Sequence, residues 1–350
     1  MLDWVDEPTL AALFGLGGGV LLGLAARLGR FCTLGAIEDA LYGDSLVRMR
    51  MWAVAIAMAV ALASGLTALG LLDPSDSFYL AQGWNLWGAV AGGLVFGYGM
   101  ALAGNCGYGA LARLGGGDMR SFVIVLVMGL AAYVTLSGPL SGLRVALFAP
   151  NSATGASGIG HALSGLTGLP LALCGVLIAA AILVAALWPR AEPMPIGGAL
   201  WGGAVGLAVA GGWAGTAWLH RAGFDALPVV SHTFSAPLGE TMLYAMTSSG
   251  SALSFGVGSV AGVLVGAFVG SLWKGHFRWE ACEDPRELKR QILGAALMGW
   301  GAVTAAGCSI GQGISAFSVL AYSAPITLAA IGLGAALGLR QLISGFAPAE

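Results

Sequence analysis

Nine long apolar runs constrain the fold of this chain more than any other feature. They lie near residues 9–29, 51–72, 85–103, 121–143, 170–188, 196–219, 251–273, 291–307 and 321–339. Each is long enough to carry a helix across about 30 Å of hydrocarbon. Only 15 Lys and Arg and 17 Asp and Glu stand among 350 residues, while 58 glycines would let helices pack closely in lipid. The sequence therefore predicts an all-α, polytopic membrane protein with about nine transmembrane helices.

The basic residues divide unevenly between the two sides that nine spans would define. All but two of the Lys and Arg residues fall on one side, and Arg144 and Arg221 are the exceptions. Because cytoplasmic loops of membrane proteins carry an excess of Lys and Arg, this division predicts an external N-terminus and a cytoplasmic C-terminus. A net charge of −2 gives no basic face for phosphates, so nucleic acid is not an expected partner.

The apolar runs also restrict the chemistry of anything that crosses. They contain no Asp, Glu or His, and Arg27 at the end of the first run is their only cation. Proton-coupled carriers usually hold an ionisable relay inside the membrane. A transported species would instead be handled by backbone dipoles, hydroxyls, aromatic faces and thiols. No catalytic, cofactor or metal site is expected, because the four histidines lie in loops at no shared spacing.

Three glycine-rich segments, each with one cysteine, interrupt the apolar pattern. They read GRFCTLGAI at 29–37, GNCGYGALARLGGGD at 104–118 and GCSIGQGIS at 307–315. They are too apolar for solvated loops and too broken for lipid-facing helices, so we expect short re-entrant helices or loops that line a cavity.

The same three segments share a spacing that suggests an internal repeat. Glycine precedes each cysteine by nine residues and follows it by three, which gives the sets Gly23/Cys32/Gly35, Gly97/Cys106/Gly109 and Gly299/Cys308/Gly311. The second and third sets lie after spans that leave the membrane on opposite sides, so the repeat would be inverted. We expect one membrane domain over 1–350, with halves at about 9–190 and 195–345. A weaker echo places Gly215 at the fourth cysteine position.

At these motifs the chain resembles the YeeE/YedE family of sulfur-compound transport proteins. The resemblance implies a multi-pass protein of the bacterial inner membrane that takes up thiosulfate through a narrow centre. By motif, three thiols would pass the anion along, namely Cys32, Cys106 and Cys308. The resemblance also implies delivery to a cytoplasmic sulfur carrier of the TusA type, which we expect to be a separate chain, and contact with membrane lipid.

A physical interpretation of the motifs agrees with that resemblance. A neutral thiol is a weak, polarizable donor that suits the soft terminal sulfur of a dianion. The predicted topology suggests inward travel in the order Cys308, Cys106, Cys32. Arg30 and Arg113 either attract the anion or simply follow the positive-inside rule. Backbone and polar groups expected to support the path are those of Gly35, Asn105, Gly107, Gly109, Gly307, Ser309, Gly311 and Gln312.

Other interpretations remain open at this level. Asn105 and Gln312 would equally well cap broken helices. Cys174 is expected to pack as a small apolar residue, Cys282 to be incidental, and the Lys274–Gln291 loop to be either a docking face or merely solvated. A membrane thiol oxidoreductase is the main alternative function, although it would need a pair of thiols at disulfide distance. Sulfide or a selenium species would suit the same thiols.

Overall fold

The computed structural model describes residues 6–149, 158–188, 192–225, 227–281 and 284–345, and these residues are mainly helical with no extended strand. Cys282 lies outside the described residues. Fifteen α-helices follow in chain order: α1 Glu7–Leu28, α2 Thr33–Tyr42, α3 Val47–Ala68, α4 Phe78–Ala81, α5 Leu86–Ala103, α6 Gly107–Gly115, α7 Met119–Leu136, α8 Ser141–Phe148, α9 Ile159–Thr167, α10 Leu171–Leu187, α11 Ile196–Ala222, α12 Ala236–Thr247, α13 Phe255–Trp273, α14 Pro285–Thr304 and α15 Ser323–Ser344. A π-helix covers Gly311–Ala316.

The long helices confirm a multi-pass membrane protein. Each of the nine apolar runs falls on one long helix, and the short helices α2 and α6 fill the predicted breaks. Within the described ranges, seven helical segments are long and apolar enough to cross a membrane, or eight if the bent pair of α9 and α10 forms one span. Helix α14 does not qualify, because its first turns carry the charges of Pro285–Gln291. The number nine therefore stays a prediction.

Glycine lets the central helices approach until their backbones touch. A Cβ atom on Gly258 of α13 would overlap the Ala12 carbonyl of α1, and one on Gly294 of α14 would lie 2.6 Å from the Gly99 carbonyl oxygen of α5. Small residues at a spacing of four create such contacts in lipid, where packing rather than hydrophobicity drives association. The abundance of glycine thus has a direct structural cause.

Four pairs of long helices combine an element of the first half of the chain with one of the second, while α3 also packs along α10 within the first half. Helix α1 packs along α13 and α3 along α11, while α5 packs along α15 and α7 along α14. In two further contacts between the halves, α1 packs against α11 and α5 packs against α14. Gly215 lies inside α11, where it packs against the Phe14 ring, and not at a break. Its suggested place as a fourth cysteine equivalent is wrong, because the chain leaves α11 only after Ala222.

Arg50 has a structural role that the charge count alone does not reveal. Arg50 is buried at the end of α10, where its guanidinium donates to the backbone carbonyls of Ala186, Trp188 and Glu192. The last carbonyls of a helix lack partners within the helix. Arg50 therefore caps α10 and holds it against α3.

Candidate substrate path

The three motif cysteines occupy the same local position, at the N-terminus of a helical segment that follows a break. Each Sγ accepts a hydrogen bond from the backbone N–H of the glycine three residues later. The N···S distances are 3.5 Å for Gly35 to Cys32, 3.4 Å for Gly109 to Cys106 and 3.5 Å for Gly311 to Cys308. This is the geometry of an N-cap, in which a side chain satisfies an unpaired N–H of the first turn. The Cys-x-x-Gly spacing in the sequence is therefore a helix-capping pattern.

A left-handed backbone precedes each capping cysteine by two residues. The φ angles are 56° at Arg30, 78° at Gly104 and 54° at Ala306. Only Gly104 adopts this conformation without a steric penalty, whereas Arg30 and Ala306 are strained. Strained residues persist where the surrounding structure fixes them, and they cluster at functional sites. The repeated conformation shows that the three breaks are built alike.

A cavity of about 550 Å³ opens near the start of α1. Most of its wall is apolar, and it includes Pro8, Phe78 and Phe255. Two charged side chains, those of Arg144 and Glu240, also line it. We call this space the outer cavity, following the orientation predicted from the basic residues.

A second cavity of about 650 Å³, the inner cavity, opens near the end of α1. Pro8 of α1 lines the outer cavity and Arg27 lines the inner one, so the two spaces lie near opposite ends of this 22-residue helix, about 33 Å long. The inner wall contains five cationic side chains and one carboxylate, those of Arg27, Arg30, Arg48, Arg113, Lys274 and Glu38. The outer and inner cavities therefore differ strongly in charge.

The thiols follow one another between these cavities. The Cys308 Sγ accepts from the Phe234 N–H at 3.2 Å and lies 3.7 Å from the Thr233 hydroxyl, which lines the outer cavity. Ser309 brings its side chain beside Cys106. The Cys106 Sγ in turn lies 4.0 Å from the hydroxyl of Thr33, the neighbour of Cys32.

Exposure changes along this row of thiols. Cys106 and Cys308 are buried, whereas Cys32 is partly exposed and lines the inner cavity. All three, together with Cys174, are free thiols. A small species that passes between the cavities would meet sulfur at each step.

Aromatic side chains close the space around the thiols. Phe31 stacks on Trp52 with ring centroids 4.8 Å apart, and Tyr108 lies 5.5 Å from Phe234. The Tyr108 hydroxyl donates to the Leu22 carbonyl oxygen at 2.6 Å, which fixes its ring against α1. These side chains are buried, so they leave little free space around the thiols.

The two polar residues beside the cysteines have different surroundings. The Gln312 amide donates to the carbonyls of Ala305 and Ala306 and accepts from Ser323, so it braces the end of α14. For Gln312 the structure therefore favours the capping alternative. Asn105 is 1% exposed and lines the inner cavity, yet neither its Oδ1 nor its Nδ2 has a partner among the described residues.

The remaining predicted positions divide between lining and packing. Arg30, Arg113, Gly35 and Gly109 line the inner cavity, and Gly307 lines the outer one. Gly107 lacks room for a side chain, because a Cβ there would lie 2.8 Å from the Phe234 carbonyl oxygen. Gly311 contributes the N–H that caps Cys308. The Ser309 hydroxyl is buried without a hydrogen-bond partner in the described part of the chain.

Sequence reasoning missed the residues that the fold brings to the thiols from elsewhere. Thr233 and Phe234 approach Cys308 from 75 and 74 positions away, and no motif connects them. Thr33 is different, since its place directly after Cys32 offered a signal. Glu240 was missed because it lies on α12, outside the apolar runs. Its carboxyl lines the outer cavity, and burial there raises its pKa.

Comparison with known proteins agrees with the motifs and the fold. A family model described as "Sulphur transport" matches residues 28–337. The chain belongs to this sulphur transport family. The resemblance to YeeE/YedE proteins is thus confirmed, and the family is one of transporters rather than enzymes.

Two relatives extend over nearly the whole chain. One, named thiosulfate transporter TsuA, from Spirochaeta thermophila, is 28% identical over 318 residues, which cover 88% of this chain and 92% of the relative. The other, with the same name, from Escherichia coli, is 29% identical over 334 residues, which cover 92% of each.

Proposed function

We propose that this protein imports thiosulfate, or a closely related small inorganic sulfur anion, across the bacterial inner membrane. Two observations support the proposal. Two relatives that match nearly the whole chain are named for thiosulfate transport. In this chain, three thiols at helix N-termini form a row between two cavities near opposite ends of α1. The row of capping thiols is the observation that carries the proposal.

In the proposed route the anion enters the outer cavity and meets Cys308, then Cys106, then Cys32, before it reaches the inner cavity. Arg30 and Arg113 attract the anion toward the inner end, since both side chains line that cavity. The positive wall also supports the predicted orientation, with an external N-terminus and a cytoplasmic C-terminus. The lipid-facing surface of the bundle is formed by its exposed apolar side chains.

The capping geometry suits a neutral thiol that binds an anion. Each Sγ accepts an N–H from the backbone, so its own S–H hydrogen is available to donate to the soft sulfur of thiosulfate. Neighbouring hydroxyls, such as that of Thr233 beside Cys308, provide donors for the oxygens. No bond of the anion breaks on this path, and each thiol remains reduced.

The helix pairs support an inverted repeat as the basis of the path. Exchanging α1, α3, α5 and α7 for α11, α13, α14 and α15 converts each contact between these two sets of helices described above into another observed one, whereas the contact of α3 with α10 has no counterpart. We infer that halves of about 9–190 and 195–345 are related by a two-fold axis that passes near the thiols. A separate sulfur carrier of the TusA type would drain the anion at the cytoplasmic face.

Serine substitution of each thiol tests the proposal. Serine is a preferred N-cap, so Cys32→Ser, Cys106→Ser and Cys308→Ser should keep the helix starts while removing sulfur. We expect each variant to reach wild-type levels in the membrane and to lose most uptake of radiolabelled thiosulfate. Cys174→Ser is the matched control, because Cys174 is buried on α10 beside Thr167, away from the row of thiols.

Two outcomes would contradict the proposal. If correctly inserted wild-type protein does not take up thiosulfate, the substrate is wrong, and sulfide or selenium species become the next substrates to test. If the three serine variants transport as well as wild type, the thiols have only a capping role. A disulfide trapped between two motif cysteines during turnover would favour the oxidoreductase alternative.

A further inference from the structure

The inner cavity contains a buried polar side chain that the path of thiols does not explain. Asn105 is 1% exposed, and both of its amide atoms lack a partner within the described residues. Buried polar groups are almost always hydrogen-bonded, and an unpaired one carries the full penalty of its desolvation. An unpaired amide that lines a cavity therefore indicates a ligand that completes its hydrogen bonds.

The surroundings of Asn105 define the chemistry of that ligand. Gly109, Ala112 and Arg113 lie along one face of α6, Asn105 precedes the helix by two residues, and all four line the cavity. Helix α6 begins at Gly107, so the positive end of its dipole lies beside Asn105, while the Gly109 N–H of its first turn donates to Cys106. An amide, a helix N-terminus and an arginine that line one cavity form a set of donors suited to an oxyanion.

The opposite wall adds positive charge. Arg30 comes from the segment around Cys32 and Arg48 from the first turn of α3, and the Arg48 guanidinium fills the space beside Gly35. Arg48 is paired with Asp39 at 3.1 Å, whereas Arg30 and Arg113 form no ion pair within the described part of the chain. Glu38 is the one carboxylate of this wall. The unpaired cations leave the cavity with an excess of positive charge.

The geometry points to an oxyanion site in the inner cavity, formed by the Asn105 amide, the N-terminus of α6, Arg113 and Arg30, that binds tetrahedral sulfur oxyanions through their oxygens. The site has no need for a terminal sulfur, so it accepts sulfate as well as the oxygen end of thiosulfate. It therefore differs from the thiols, which select for sulfur. The inference deepens the proposed function, since it takes the inner cavity as the end of the path.

Such a site has a consequence for transport. Sulfate that enters the inner cavity from the cytoplasmic side competes with the arriving anion and so slows inward transport. Uptake is then restrained when the cytoplasm already holds oxidised sulfur, without any change at the thiols.

Equilibrium binding of radiolabelled sulfate to the purified full-length protein, at constant ionic strength, tests the site. Wild type should bind sulfate saturably, and Asn105→Leu and Arg113→Gln should each weaken binding by about tenfold or more, as the loss of a charge-assisted hydrogen bond does. Arg286→Gln is the matched control, because Arg286 is an exposed arginine that does not line the cavity. Cys308→Ser should bind sulfate as wild type does.

A stability measurement keeps the test independent of folding. Leucine at position 105 removes two unpaired buried polar atoms, so the melting temperature of Asn105→Leu should be no lower than that of wild type. Absence of saturable sulfate binding by wild type would overturn the inference. Equal weakening by Arg286→Gln and Arg113→Gln would also overturn it, because binding would then report net charge alone.

Transport in sealed vesicles separates this inference from the proposed function. Sulfate on the side of the inner cavity should slow thiosulfate passage in wild type and have a much smaller effect in Asn105→Leu. If serine at the motif cysteines abolishes transport while sulfate has no effect on either side, the thiol path stands and the oxyanion site fails. If sulfate binds as expected while the serine variants transport normally, the site stands and the proposed path fails.

Discussion

A single methyl group placed beside the middle thiol should separate transport from folding. Gly109 is the third residue of α6, and its N–H caps Cys106. A Cβ atom built there would lie 3.8 Å from the Cys106 Sγ and 3.3 Å from the Asn105 Cβ. Because carbon atoms in contact rest about 3.5–4.0 Å apart, the methyl would occupy the space next to the sulfur that a substrate atom must use.

The two effects of Gly109→Ala can be estimated separately. Replacing glycine by alanine within a helix stabilises it by about 1 kcal/mol, and the tight contact with Asn105 offsets part of that gain. The free energy of unfolding should therefore change by less than about 1 kcal/mol. A hydrogen bond to a charged partner contributes about 1.5–3 kcal/mol, so excluding the anion from Cys106 should lower uptake roughly 10- to 100-fold.

The assay compares initial thiosulfate uptake with thermal stability in the same membranes. Gly332→Ala is the matched control, since Gly332 lies within α15 and a Cβ there would meet nothing within 4 Å. Both variants should fold, and only Gly109→Ala should lose uptake. Uptake by Gly109→Ala at the wild-type rate would refute the placement of the path at Cys106. Equal loss in both variants would show that the assay reports a general effect of helix stiffening.

Three further variants test the physical basis of the fold and of the outer cavity. Burial raises the pKa of Glu240 above the ordinary value of about 4.3, so the stability that the neutral carboxyl provides is lost as the pH rises through the folded-state pKa. The melting temperature of Glu240→Gln relative to that of wild type should therefore increase from pH 4 toward neutrality. A difference in melting temperature that stays constant with pH would contradict this. Arg50→Met should lower the free energy of unfolding by more than about 2 kcal/mol, because two backbone carbonyls at the end of α10 and that of Glu192 lose their donor. The exposed Arg286→Met should change it little in the same thermal melts. Ala306→Gly should raise stability by up to about 1 kcal/mol by relieving a positive φ, and a lower melting temperature would show that the strain is not there.

The membrane fold was readily predicted from the sequence because the relevant signals are local. An apolar run of sufficient length forms a helix in lipid wherever its neighbours lie, and each of the nine runs became one long helix. The three breaks were predicted for the same reason, since glycine and polar residues interrupt the runs at Cys32, Cys106 and Cys308. What the spacing did not show was that each thiol caps a helix.

The surroundings of the site were not predicted, because they depend on packing between distant segments. Thr233 and Phe234 reach Cys308 only through the approach of the segment between α11 and α12 to the π-helix. Asn105 and Gln312 looked equivalent in the sequence, each beside a motif cysteine. Among the described residues, both amide atoms of the Gln312 side chain have hydrogen-bond partners and neither of those of Asn105 has one, so only the structure separates a brace from a candidate ligand group.

The capping role of the thiols would keep the proposed path narrow and its width fixed. Each sulfur of the proposed route also caps the start of a helical segment, so a change that widened the row of thiols would break an N-cap hydrogen bond and expose a first-turn N–H. The strained residues before Cys32 and Cys308 and the aromatic contacts around Cys106 restrict the same segments. Selection by such a row would rest on fixed donors at a fixed width. It follows that Cys→Ala variants change cap and sulfur together, whereas Cys→Ser variants change sulfur alone, and that only the serine series measures what sulfur itself contributes to transport.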